Sequence, residues 1–217
     1  MEVKEDIIDF WNNKYEKKEV IYSGRTLKTS NASINVDVRN FIVKDDYILK
    51  KIIKEFDLKK PTYNETAYAC QKFVVDYLDY VTDTALDLCP EFWMFPFETF
   101  ASKAGDCEDG AILMASLMIN AGIPNWRVKV CAGTVQPEPT APLGGHAFCV
   151  YLADRKDGSL EWEIHDWCYY EDTDVMTGEK PLLKEGGYNN CYKDIWFSFN
   201  DEYSWSNKLS TIEGRVK

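Results

Sequence analysis

The sequence predicts an α+β fold, with an antiparallel sheet packed against one strongly apolar helix. Two observations carry this expectation. Apolar residues recur at three- and four-residue steps up to about residue 120, whereas after Pro124 short β-rich runs alternate with turn signals. Helices first and strands afterwards place the sheet on one side of the preceding helices. The apolar helix spans about residues 107–120, with Asp106 as its N-cap and Gly122 as its stop.

The elements follow in order. Residues 4–18 form an amphipathic helix with Ile7, Ile8, Phe10, Trp11 and Tyr15 on one side, and residues 34–38 and 41–43 are short β-prone runs. Residues 45–56 make a helix striped by Ile48, Leu49, Ile52 and Ile53, and residues 64–81 make a longer one after Pro61. Residues 83–106 read as a loop rich in proline and aromatics, and a loop of that length is usually functional. Strands are expected at 126–135, 146–153, 162–167 and 194–199, separated by QPEPTAPLGG, by DRKDGS and by the polar stretch 171–190. The 217 residues fit one domain, with 1–60 as an N-terminal helical extension and 61–200 as the core.

Composition narrows the function. Net charge is −11 with 25 basic residues and no basic run interleaved with aromatics, which argues against nucleic-acid binding. No run of eighteen apolar residues occurs, so no membrane span is expected. The first twenty residues are charged and lack an apolar leader core, so the reading expects no secretory signal and a cytoplasmic or phage-associated setting. The seven cysteines are scattered without a CxxC pair, which supports neither a zinc site nor a disulfide framework. Most should behave as small buried apolar residues.

Cys107 differs by position. A thiol attacks a carbonyl as thiolate, and the N-terminus of a helix favours negative charge and offers free N–H groups for an oxyanion. Asp106, Glu108 and Asp109 oppose this, because they surround the thiol with negative charge. A cationic histidine or a bound cation must offset them. Of the two histidines, His146 opens a strand with Phe148, Val150 and Leu152 on its face, so it is expected to point toward whatever the sheet covers. In WEIHDW, Trp162, Ile164 and Asp166 share one face, which puts Asp166 on the core side beside His146 and turns His165 away. Each residue also has a bland account: a small buried cysteine, a satisfied core histidine, a turn aspartate.

The segment 92–135, FWMFPFETFASKAGDCEDGAILMASLMINAGIPNWRVKVCAGTV, resembles the transglutaminase-like cysteine peptidase superfamily, and most closely the bacterial transglutaminase-like cysteine proteinases. The resemblance continues through Gly145-His146-Ala147-Phe148 and the strand ending at Asp166. It implies a papain/transglutaminase-like core, with Cys107 as nucleophile, His146 as general base and acid, and Asp166 as the group orienting His146. It further implies the Cys107 N–H in an oxyanion hole, with Trp93 as a second contributor or a cleft wall; a core aromatic is the equal alternative for Trp93. It also implies calcium held by acidic residues, for which Asp106, Glu108 and Asp109 are the candidates and helix capping the alternative. The thiol chemistry itself requires no cofactor. Gly110 departs from the pattern, standing where relatives carry a larger residue.

These readings make the chain an enzyme: a thiol hydrolase or acyltransferase acting on amide bonds of a peptide or protein through a thioester. The alternatives are cross-linking or deamidation at glutamine, and a non-catalytic binding module that keeps the fold.

Overall fold

The computed structural model describes residues 11–26, 33–85, 91–207 and 211–213. Among these, the helices are α1 (Tyr47–Glu55), α2 (Tyr63–Tyr77), α3 (Pro96–Ser102) and α4 (Cys107–Asn120), with one further helical turn at residues 11–14. The strands are β1 (Ile21–Thr26), β2 (Ser33–Asp37), β3 (Asp79–Tyr80), β4 (Ala104–Gly105), β5 (Val128–Val135), β6 (Gly144–Asp154), β7 (Leu160–His165), β8 (Tyr192–Phe199), β9 (Ser204–Ser206) and β10 (Thr211–Glu213). The main sheet has the order β7-β6-β5-β8-β9 with every neighbour antiparallel. β1 pairs with β2 and β10 in a smaller sheet.

Local chemistry sets the helix boundaries. The Asp46 carboxylate accepts from the Leu49 N–H at 2.8 Å and starts α1. A reciprocal capping box between Thr62 and Glu65 starts α2. That helix ends at Tyr77, four residues short of the expected 81, because Leu78 turns extended and Asp79-Tyr80 pairs in parallel with Ala104-Gly105. The expected loop 83–106 holds a helix, α3, begun by Pro96 at its first position and by Glu98, which accepts from the Phe95 N–H at 2.7 Å. Residues 41–43 form no strand; the Asp37 carboxylate accepts from the Arg39 N–H at 3.0 Å and caps a 3-10 turn, Val38–Phe41, that buries Phe41. The expected helix 4–18 stops at residue 14, and the chain then runs extended to a bridge between Lys17 and Trp205. Ile7, Ile8 and Phe10 lie outside the described residues.

α4 is the centre of the protein. Every residue from Glu108 to Ile119 is buried, because α1, α2 and α3 contact one side and β5 and β6 the other. An element enclosed in this way has to be apolar all round. At about 1.5–3 kcal/mol per buried Leu, Ile or Met side chain, this one helix supplies much of the hydrophobic stabilisation.

The sheet is apolar on both faces, and this corrects one expectation. Ala147, Cys149, Tyr151 and Ala153 of β6 belong to the core that contains α4. Phe148, Val150 and Leu152 belong to a second core behind the sheet, with Trp11, Trp162 and Trp205. His146 is therefore in register with the face away from α4. Alternation cannot separate the two sides of a strand when both are covered. His165 is likewise not turned away from the protein: it is fully buried on the α4 side, edge-on to Tyr151. Six cysteines among the described residues are free thiols, and only Cys107 and Cys168 are partly exposed.

Candidate active site

Cys107 is the first residue of α4, so its side chain projects from the helix end whose N–H groups are free. β7 pairs with β6 only as far as Cys149↔His165, which leaves residues 144–147 of β6 without a strand on that side. α4 packs against β6, and the backbone N–H of Ala147 on this stretch of the strand favours the Cys107 thiolate. The thiol thus meets the strand one residue past His146, despite the face to which His146 belongs.

His146 and Asp166 meet directly, with Nε2 2.6 Å from Oδ2. Asp166 is 1% exposed and His146 8%. Asp166 follows the end of β7, and its Oδ1 accepts from the N–H groups of Trp167 at 2.7 Å, Cys168 at 3.2 Å and Tyr169 at 3.4 Å. Burial alone would raise the Asp166 pKa, but the His146 ring, the Tyr192 hydroxyl and the Cys168 N–H hold it below the ordinary carboxylate range. Asp166 is therefore a fixed anion bonded to Nε2 of His146, leaving Nδ1 as the ring nitrogen not committed to a carboxylate. Phe148, Tyr169 and Tyr192 wall the imidazole, with ring centroids at 6.0, 5.2 and 6.3 Å.

Electrostatics around the thiol run the other way. Burial, then Glu108, then Asp106 push the Cys107 pKa well above its ordinary value, and only the Ala147 N–H opposes them. The Cys107 thiol itself donates to Glu108 Oε2 at 3.3 Å. Burial raises the pKa of Glu108 and Asp109 well above normal, with Asp106 adding to both, and burial raises Asp106 as well. Asp83, which the sequence did not point to, joins them: burial and Asp106 push it up to about 7.

Metal-ligating atoms of Asp83, Asp106 and Asp109 lie within 4.8 Å of one another, as do those of Asp106, Cys107 and Glu108. Capping accounts for Asp109, whose Oδ1 accepts from the Met94 N–H at 2.8 Å and whose Oδ2 accepts from the Asp106 N–H at 3.2 Å. It does not account for Asp83 Oδ1, Asp106 Oδ1 and Glu108 Oε1, which are buried without a hydrogen-bond partner. Buried carboxylate oxygens left unpartnered among like charges fit a hard divalent cation, for which oxygen ligands of this kind are suited.

Trp93 is a core residue. It is 3% exposed, stacks on Tyr22 at 5.0 Å, and commits its indole N–H to Glu91 at 2.8 Å. A nearer aromatic is Trp167, whose Nε1 donates to the Cys107 carbonyl at 3.1 Å. Gly110 explains how it fits: a Cβ there would fall 2.3 Å from the Trp167 indole. Exposed Tyr80 tilts against Trp167 with centroids 5.8 Å apart. His165 takes no part; burial pushes its pKa down to about 4 and keeps it neutral.

No protein-family model matches the chain, and no curated protein matches it. Among solved structures, EGTA-treated LapG from Legionella pneumophila is similar, with a TM-score of 0.51 and 17% identity over 74% of this chain and 84% of that one. A second LapG structure gives 0.50 and 17% over 74% and 86%. A calcium-bound LapG gives 0.43 and 15% over 77% and 93%. At such identity the likeness establishes the fold: an α+β, papain/transglutaminase-like core with the cysteine-bearing helix against an antiparallel sheet.

Proposed function

We propose that the chain is a thiol hydrolase acting on amide bonds of peptides or proteins, with Cys107 as nucleophile, His146 as general base and acid, and Asp166 as the residue that orients His146. The observation that carries the reading is the 2.6 Å His146–Asp166 pair on the strand whose next residue, Ala147, favours the Cys107 thiolate through its N–H. A buried anionic carboxylate on Nε2 fixes the imidazole and leaves Nδ1 to exchange a proton with the thiol.

In this reading Cys107 attacks the amide carbonyl after its proton passes to His146. The Cys107 N–H at the head of α4 stabilises the oxyanion, and His146 then protonates the departing amine. His146 next removes a proton from water, which opens the thioester and restores the thiol. An amine in place of that water would give cross-linking. Hydrolysis is preferred because the resemblance to bacterial transglutaminase-like proteinases implies it. The Cys107, His146 and Asp166 side chains are all present, which weighs against a binding module that merely keeps the fold.

Asp83, Asp106, Glu108 and Asp109 would hold a calcium ion. Bound there, Ca²⁺ supplies positive charge that offsets the carboxylates beside the thiol and so favours the thiolate. The residues themselves need this relief, since Glu108 and Asp106 are, after burial, what holds the Cys107 proton in place.

The test is cleavage of a mixed peptide library, read by mass spectrometry, with the 217-residue protein, its Cys107→Ala variant, and each in Ca²⁺ or EGTA. New termini that need both Cys107 and Ca²⁺ support the proposal. Termini that persist in Cys107→Ala reject it.

A further inference from the structure

Asp166 has a second partner on the oxygen that holds His146. Its Oδ1 is occupied by three N–H groups of its own turn. Its Oδ2 faces His146 Nε2 at 2.6 Å and also accepts from the Tyr192 hydroxyl at 2.6 Å. A carboxylate oxygen has two lone-pair directions, and both are used here. Tyr192 arrives from β8, which is separated from β6 by β5, so this tie is tertiary and owes nothing to local chain geometry.

The tyrosine is itself held. It is 6% exposed and packs edge-on against Phe148 with centroids 4.7 Å apart. Its own N–H donates to the Gly186 carbonyl at 3.0 Å. A Cβ on Gly187 would fall 2.7 Å from its ring, so that glycine lets the backbone close over the aromatic. Gly187 also has φ of 68°, which suits glycine on conformational grounds.

We infer that Tyr192 is a positioning residue for the Cys107–His146–Asp166 site, an inference that rests on the function proposed above. Its hydroxyl fixes the rotation of the Asp166 carboxylate, so that Oδ2 stays on Nε2 of His146. It also takes up part of the negative charge on Oδ2. Asp166 then orients the imidazole while holding the imidazolium less tightly than an undivided carboxylate would. The proton therefore remains available to the departing amine.

The experiment uses Tyr192→Phe, which keeps the ring that packs on Phe148 and deletes only the hydroxyl. Ring resonances of His146 are followed against pH by NMR and assigned by comparison with a His165→Gln protein, His165 being the other histidine. The expected result is a rise of about half a unit or more in the His146 pKa, since the whole charge of Oδ2 now faces the ring. A folded Tyr192→Phe protein with the His146 pKa unchanged overturns the inference, since a purely structural tyrosine would not move it. Wild-type protein offers a second measurement that needs no variant. Its Tyr192 hydroxyl proton should exchange slowly with solvent, and fast exchange there contradicts the hydrogen bond. Cys107 that shows no preferential alkylation in wild type would count against the function, whereas the histidine titration tests the Tyr192 tie in either case.

Discussion

Asp83→Asn separates the cost of the acidic cluster from its use. In the folded chain Asp83 titrates near 7, against an ordinary 3.8, because burial and Asp106 disfavour its charge. The folded state thus holds a proton that the unfolded chain has already released between these values, so stability falls as pH rises through the window. Three units at 1.36 kcal/mol each put the full loss at about 4 kcal/mol. Asparagine is nearly isosteric, can still accept from the Phe92 N–H, and does not titrate. Urea unfolding in EGTA should therefore find the variant equal to wild type near pH 4 and more stable at pH 8 by up to about 4 kcal/mol. Saturating Ca²⁺ should reverse the order, because the variant has lost one anionic ligand and gains less from binding. A variant less stable than wild type at pH 8 in EGTA would mean that Asp83 carries no such cost, and one that Ca²⁺ stabilises as much as wild type would mean that Asp83 is no ligand.

Other outcomes follow from the same geometry. Gly110→Ala should displace the Trp167 indole and break its 3.1 Å bond to the Cys107 carbonyl, lowering turnover at least tenfold (about 1.4 kcal/mol) in steady-state cleavage while the fold persists in circular dichroism. Lys129 is buried among Trp162, Trp205 and Trp11 at 4.3, 4.8 and 5.2 Å from their ring centroids. Burial pushes its pKa down to about 7 from 10.5. Between these values the unfolded chain binds the extra proton, so this group makes stability rise with pH. Lys129→Met should remove a slope of about 1.4 kcal/mol per pH unit from unfolding curves taken between pH 7.5 and 9.5. Trp93→Phe should lower the melting temperature by a few degrees and leave Cys107 alkylation unchanged, because the indole N–H serves Glu91.

Sequence made some parts legible and hid others for identifiable reasons. The span of α4 was readable because its cap, its stop and its apolar run all agree, and the structure gives Cys107–Asn120. α3 was missed because seven residues are too few for a helical period to stand out among aromatics, although Pro96 and Glu98 mark its start. The pairing of His146 with Asp166 was legible, but the reason offered for it was not correct. β6 is covered on both faces, so the stripe of Phe148, Val150 and Leu152 marked the second core and not the side of α4. What leaves the His146 end of β6 open is the early end of β7, a matter of strand length that alternation does not encode. Asp83 and Tyr192 lay beyond reach for another reason. Each acts on a group more than twenty residues away, and no local pattern marks an aspartate or a tyrosine for such a role.

If His146 activates Cys107, the alkylation rate of Cys107 as a function of pH will show it. With substoichiometric iodoacetamide and peptide mapping in the presence of Ca²⁺, Cys107 should react ahead of partly exposed Cys168, with a midpoint below that of an ordinary thiol. His146→Ala should move that midpoint up and slow the reaction at neutral pH. Equal, slow labelling of Cys107 and Cys168, unaffected by His146→Ala, would mean that His146 does not activate the thiol.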